Sequence, residues 1–163
     1  MKKLLQLLFL VGTCFVIGGC PYESDVPIDA PSVKIDPKLL GVWVDKDNEN
    51  ESYTISRQDD FTYHIVATQI EEGESEAYLA YASQVNKTMF LNISKTEPKE
   101  DSPAFILYKM ELRNDDWISL TEVTENIDET FSTSQDLKKF ISKNMGNSYF
   151  YGKDETNLVR SVK

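Results

Sequence analysis

Cysteine, histidine, glycine and proline are all scarce in this chain: its 163 residues hold two, one, seven and six of them. That is too little glycine and proline for a collagen-like or low-complexity polypeptide. With 27% charged residues and 18 aromatics (eight Phe, eight Tyr, two Trp), the sequence is also too apolar for wholesale disorder. Its length suits one packed domain. The lone imidazole, His64, would be the only base for a serine triad, and no Gly-x-Ser-x-Gly elbow supplies a nucleophile. His64 reads as a surface or pocket histidine on the Thr62/Val66 face of a strand. Positive charge is the remaining deficit: 17 basic against 27 acidic side chains give a net charge of −10. Nucleic acid is therefore not an expected partner.

The acids do not single out a reaction. Among 27 carboxylates a glycosidase-like pair arises by chance. Residues 45–51 (Asp45-Lys46-Asp47-Asn48-Glu49-Asn50-Glu51) begin like a calcium loop. They place Asn50 where the loop needs glycine and Ser56 where it needs a closing glutamate, so a solvated hairpin turn is expected. The sequence assigns no catalytic residue, metal ligand or cofactor, and an enzyme is not expected.

The amino terminus is more informative. Lys2 and Lys3 precede an almost wholly apolar run over residues 4–17, followed by Ile17-Gly18-Gly19-Cys20. An aliphatic residue, two small residues and a cysteine resemble the lipobox of bacterial lipoproteins, where the cysteine thiol receives a diacylglycerol before cleavage. The apolar run is short against the roughly 20 residues of a spanning helix. The resemblance implies a signal peptide over residues 1–19, with Cys20 as the acylated amino terminus. Cys14 would be discarded with the leader, leaving no thiol for a disulfide, a zinc site or a nucleophile. Losing residues 1–19 removes Lys2 and Lys3 and no acid, so the net charge moves from −10 to −12. Membrane attachment then rests on the acyl chains, at about 0.8 kcal/mol per buried methylene. The implied location is the cell envelope, lipid-anchored at the outer membrane, with the periplasmic or surface side left open.

Residues 20–36 hold three prolines and several acids without a hydrophobic period, which predicts a flexible tether between lipid and domain. Glu23-Ser24-Asp25 faintly resembles the acidic stretch after the cysteine in some surface-exported Bacteroidetes lipoproteins.

From residue 37 to 163 the pattern is that of one β domain. Short alternating runs over residues 39–44, 52–57, 61–68, 77–85, 88–94, 105–112 and 117–123 are separated by polar turns. They predict an antiparallel barrel or sandwich. Leu137, Phe140 and Ile141 then fall at helical spacing within residues 134–144, with Ser134 as the expected N-cap and Gly146 beyond the end. Residues 149–151 and 158–161 suggest a closing strand.

Leu39-x-Gly41-x-Trp43, repeated strands and a single late helix resemble the lipocalin and wider calycin plan. Residues 37–162 as a whole resemble small lipocalin-like lipoproteins of Bacteroidetes. Met89-Phe90-Leu91-Asn92-Ile93, residues 107–112 with 117–120, and Asp136-Leu137-Lys138-Lys139-Phe140-Ile141 contribute to the likeness. The resemblance implies a barrel of about eight strands, with Gly41 permitting a bend, Trp43 sealing the floor and Arg160 packing across the indole. It lacks the cysteines and the further signatures of secreted lipocalins. Trp117 is expected to be a core or rim anchor.

Two functions follow. In the first, a tethered, non-catalytic barrel binds a small apolar or amphipathic ligand against inward side chains, with Tyr63, Tyr81, Met89, Tyr108 and Met110 as pocket candidates and Phe61 also potentially inward. In the second, a barrel filled by its own side chains displays loops, such as the acidic Glu71-Glu72-Gly73-Glu74-Ser75-Glu76, to an envelope protein.

Overall fold

The computed structural model describes residues 21–97, 104–124 and 126–161. Cys20 and its lipobox lie outside the described residues. Nine strands form one antiparallel sheet: β1 (Glu23–Ser24), β2 (Gly41–Asp45), β3 (Glu51–Arg57), β4 (Thr62–Gln69), β5 (Glu74–Val85), β6 (Thr88–Lys95), β7 (Phe105–Asn114), β8 (Trp117–Val123) and β9 (Tyr151–Arg160). Each of β2 to β9 pairs with the next, and β9 returns to β2. The result is a closed eight-stranded, lipocalin-like barrel with no free edge. β1 lies outside the ring, paired with the start of β7.

Register decides which side chains face inward, because residues directly opposite across a ladder share a face. Trp43 stands opposite Tyr53 and Arg160, Tyr63 opposite Ala80, and Leu91 opposite Tyr108. Following those pairs places Trp43, Tyr53, Ile55, Tyr63, Ile65, Ala80, Leu91, Tyr108, Met110, Ile118, Leu120 and Leu158 inside. Around Trp43 this interior is packed: Ala80, Ile118 and Leu158 are buried with it.

A second core lies on the outer wall. Val85, Phe90, Leu107 and Val123 are buried there with Leu137, Ile141 and Phe150. The amphipathic helix α1 (Ser134–Asn144), which follows β8 and precedes β9 in the chain, covers this wall from β5 onward. Its N-cap is Thr133 rather than the expected Ser134. Thr133 holds the extended backbone, and its Oγ1 accepts the Asp136 N–H at 3.2 Å, so Ser134 becomes the first helical residue. Of the expected closing fragments, Tyr151 and residues 158–160 belong to one strand, β9, whereas Tyr149 and Phe150 form a 3-10 turn just before it.

The stretch expected to be a flexible tether is instead docked. Residues 21–36 form a strap that starts beside the end of β8, crosses to β7 and runs over the outer wall to the opposite end of the barrel. Tyr22, Ile28 and Ile35 are buried, Ile28 completely. Backbone groups are satisfied along the way: Ile28 N–H donates to Asn92 Oδ1 (2.8 Å), Ile35 N–H to the Asp60 carbonyl (3.0 Å) and Asp36 N–H to Tyr63 Oη (2.6 Å). Asn92, fully buried, also donates to Ser83 Oγ (2.8 Å) and the Tyr81 carbonyl (3.3 Å). Asp29 ties the strap to α1 through Lys138 Nζ (2.5 Å) and to β5 through Ser83 Oγ. Prolines and acids set a composition typical of linkers, but three isolated apolar side chains and these hydrogen bonds fix the path.

Candidate functional site

The barrel has two unlike ends. At the floor, Asp36 caps a 3-10 turn over Pro37–Leu39, with its carboxylate accepting the Lys38 N–H at 2.9 Å. Strand β2 therefore starts at Gly41, two residues later than the alternation suggests. Trp43 is fully buried, and its indole N–H donates to the Leu39 carbonyl at 2.9 Å. The Arg160 guanidinium sits 4.4 Å from the indole centroid. Its nitrogens also donate to the carbonyls of Leu40 (3.1 Å), Lys38 (2.6 Å) and Asp115 (2.9 Å), and to the Asp116 carboxylate (2.9 Å). One cation thus ties together the 3-10 turn, the β7–β8 turn and the indole. Gly41 has φ +134°, and a Cβ there would lie 2.8 Å from Arg160 Nη1. Only glycine leaves room for that guanidinium in this backbone.

Directly beside this floor is a cavity of about 270 Å³, lined by Val33, Lys34, Asp36, Leu39, Tyr63, Ala82, Met89, Met110 and Leu112. Three pocket candidates, Tyr63, Met89 and Met110, meet here. The strap supplies Val33, Lys34 and Asp36, which no periodicity in the sequence marks. Leu112 shares the Tyr108/Met110 face and was legible; Ala82 was not, because alanine has little patterning value. The walls are mainly apolar and include two flexible thioethers, while Lys34 is exposed at the edge.

Two candidates stand apart from this cavity. Tyr108 faces inward but higher in the barrel, beside Glu122; burial, with a smaller contribution from that carboxylate, pushes its phenol up to about 12. Tyr81 points outward, a correction to its inward assignment. Its neighbours Ala80 and Ala82 take the interior positions, and its hydroxyl donates to the Asp29 carbonyl at 3.1 Å. The ring sits edge-on to Phe105 under the strap, so a covered outer wall, not the lumen, accounts for its burial.

The mouth is acidic and tyrosine-lined. Tyr53 donates to Glu51 (2.7 Å), Tyr78 donates to Glu76, and Lys95 meets Glu76 at 3.1 Å. Burial first and the adjacent carboxylate second hold both phenols well above their ordinary range. Asp45 and Glu51 of the calcium-like stretch accept from their own turn: Asp47 N–H to Asp45 (2.8 Å) and the Asn48 amide to Glu51 (2.9 Å).

Other singled-out residues lie on the outside. His64 alternates with the inward Tyr63 and Ile65, opposite Ser56 and Leu79. Trp117 is half-buried on the outer face, donating to Asn157 Oδ1 (2.9 Å) beneath Lys46 Nζ, 5.2 Å from its ring. Phe61, potentially inward by pattern, sits in the β3–β4 turn and lines a wide, solvent-open groove of about 450 Å³ with Pro31, Asp59, Asp60 and Thr62. The Asp59 carboxylate there accepts the N–H groups of Phe61 (2.7 Å) and Thr62 (2.9 Å), which holds it below its usual pKa.

Strand order, a Gly-x-Trp floor crossed by arginine and a single helix on the outer wall define a lipocalin-like barrel. No known protein family, curated protein or solved structure matches the chain. Among the described residues no helix is long and apolar enough to cross a membrane.

Proposed function

We propose that this is a non-catalytic, lipid-anchored envelope lipoprotein, acylated at Cys20, that holds a small apolar molecule or the apolar end of an amphipathic one. The floor cavity carries this reading. At about 270 Å³ it falls just below the roughly 300–1,000 Å³ of pockets for drug-sized ligands. The ligand is accordingly small, or inserts only a tail between Met89, Met110 and Leu112. Lys34 at the edge suits an anionic or hydroxyl-bearing head. The acidic mouth disfavours an anionic head at the other end. Anchorage rests on Ile17-Gly18-Gly19-Cys20, and placement at the outer membrane of a Bacteroidetes-like envelope rests on the resemblance alone.

The test is a titration with fatty acids of increasing length, against the natural chain and against Ala82→Phe, which fills the cavity from β5. Short chains are expected to bind the natural protein and to lose at least about tenfold in affinity to Ala82→Phe, about 1.4 kcal/mol, while Tyr81→Phe binds normally. No binding, or binding indifferent to Ala82→Phe, would favour the second reading. That reading is an interaction protein displaying its loops, and the observation behind it is the packed interior around Trp43, Ala80 and Leu158. The anchor is tested separately: Cys20→Ala is expected to accumulate as precursor without incorporating labelled palmitate, and normal incorporation would remove the lipid from the proposal.

A further inference from the structure

The docked strap fixes where an amino-terminal lipid would leave the protein. Pro21 bridges Thr124, just past the end of β8, and Tyr22 N–H donates to the Val123 carbonyl at 2.7 Å. β8 ends at the mouth, together with the β2–β3, β4–β5 and β6–β7 connections, whereas the Trp43–Arg160 floor lies at the other end. On the reading that Cys20 is acylated, we propose that the barrel is held mouth-down: its open rim rests against a zwitterionic lipid bilayer, and the floor cavity points away.

The geometric reason is leash length. Cys20 directly precedes Pro21, one Cα step of about 3.8 Å, and the next residue, Tyr22, is hydrogen-bonded to the end of β8. Were residues 21–36 free, those 16 residues would reach about 50–58 Å and impose no orientation. Docking of the strap therefore turns a loose anchor into a fixed one. The rim also presents the right surface. Among the described residues the two most exposed large hydrophobic side chains are Tyr149 (58%) and Ile70 (54%). Ile70 lies in the β4–β5 turn, on the rim, whereas Tyr149 sits in the 3-10 turn (Ser148–Phe150) between α1 and β9. Exposed Asp47, Glu49, Glu71 and Glu72 on the same rim would be repelled by anionic headgroups, which selects a zwitterionic surface.

The experiment uses the full chain, expressed with its leader in a bacterial host and purified with whatever lipid it carries. Acylation is read from the mass of the amino-terminal peptide, and the protein is reconstituted into phosphatidylcholine vesicles. Fluorophores are attached through single substitutions at the rim, Asp47→Cys and Glu71→Cys, and at the floor turns, Gln58→Cys and Lys87→Cys. Quenching by lipids carrying a headgroup nitroxide is then compared. Rim labels are expected to be quenched severalfold more than floor labels. Inserting a flexible Gly/Ser linker of about 15 residues between Cys20 and Pro21 leaves fold and lipid site untouched and should bring the ratio close to one. An acylated chain with equal quenching at both ends, or a ratio the linker does not change, overturns the orientation and leaves the anchor standing. A chain without acyl groups overturns the anchor, and the orientation with it.

Discussion

At the scale of single residues, Trp43 and Arg160 have the largest consequences. The indole is fully buried, donates its N–H and lies against a guanidinium that itself satisfies three backbone carbonyls. Trp43→Ala removes the largest side chain of the inner core and is expected to cost about 3–5 kcal/mol, a large part of the roughly 5–15 kcal/mol that holds a domain folded. His64→Ala, on the outer face of β4, should stay within about 0.5 kcal/mol. Denaturant midpoints of the two variants check the contrast, and equal small shifts would contradict the packing of the floor. Arg160→Lys keeps the charge but has no planar fork for several carbonyls and the indole together. It is expected to behave more like a loss of the residue than like a conservative change, again by midpoint.

At the scale of elements, the strap is as much a part of the folded unit as any strand. Its removal uncovers Asn92, whose Oδ1 accepts the Ile28 N–H, and leaves Ser83 and Tyr81 without Asp29. It also strips Ile28 and Tyr22 from the outer core, each worth about 1.5–3 kcal/mol of burial. A chain of residues 37–163 is therefore expected to be several kcal/mol less stable than one of residues 21–163, and more prone to self-association. Chemical denaturation and light scattering on the pair measure this. Identical midpoints would mean that the strap contributes nothing to stability. Helix α1 depends on the same wall: Leu137 and Ile141 are buried in one cluster with Phe90 and Leu107.

At the scale of the whole molecule, closure of the barrel buries phenols next to carboxylates with few cations between them. Tyr108 is pushed up to about 12, and Tyr53 and Tyr78 are held well above 10 by burial and by their glutamate partners. Below pH 10 these phenols are neutral in both the folded and unfolded chain, so their burial carries no pH-dependent penalty. Above pH 10 the unfolded chain releases protons that the folded chain retains, and stability falls until the folded pKa is passed. Tyr108 alone, at about 12 against an ordinary 10.0, accounts for about 3 kcal/mol of that loss. Alkaline unfolding is expected between about pH 10 and 12, with phenolate absorbance rising together with the loss of β-sheet circular dichroism. Phenolate appearing well before unfolding would place these rings in water.

The sequence by itself determined seven of the strands, their antiparallel order and the helix, because each rests on local information, a period of two or a period near 3.6; the closed barrel and the Gly41, Trp43 and Arg160 trio came from the lipocalin resemblance. Of the six side chains the pattern offered as inward, Tyr63, Met89, Tyr108 and Met110 do share the inner face, and Phe61 and Tyr81 do not. Tertiary structure decided the rest. Alternation says that Ala80 and Tyr81 point opposite ways but not which way is in, and large side chains are a misleading guide where the outer wall is itself covered. Tyr81, Phe90 and Asn92 face outward and are buried because α1 and the strap lie on them. The strap was illegible for a related reason: an irregular segment buries Tyr22, Ile28 and Ile35 at intervals set by the surface beneath it, not by its own backbone repeat. Its role as one wall of the floor cavity, and as the element that fixes where the chain leaves the barrel, exists only once the sheet has closed.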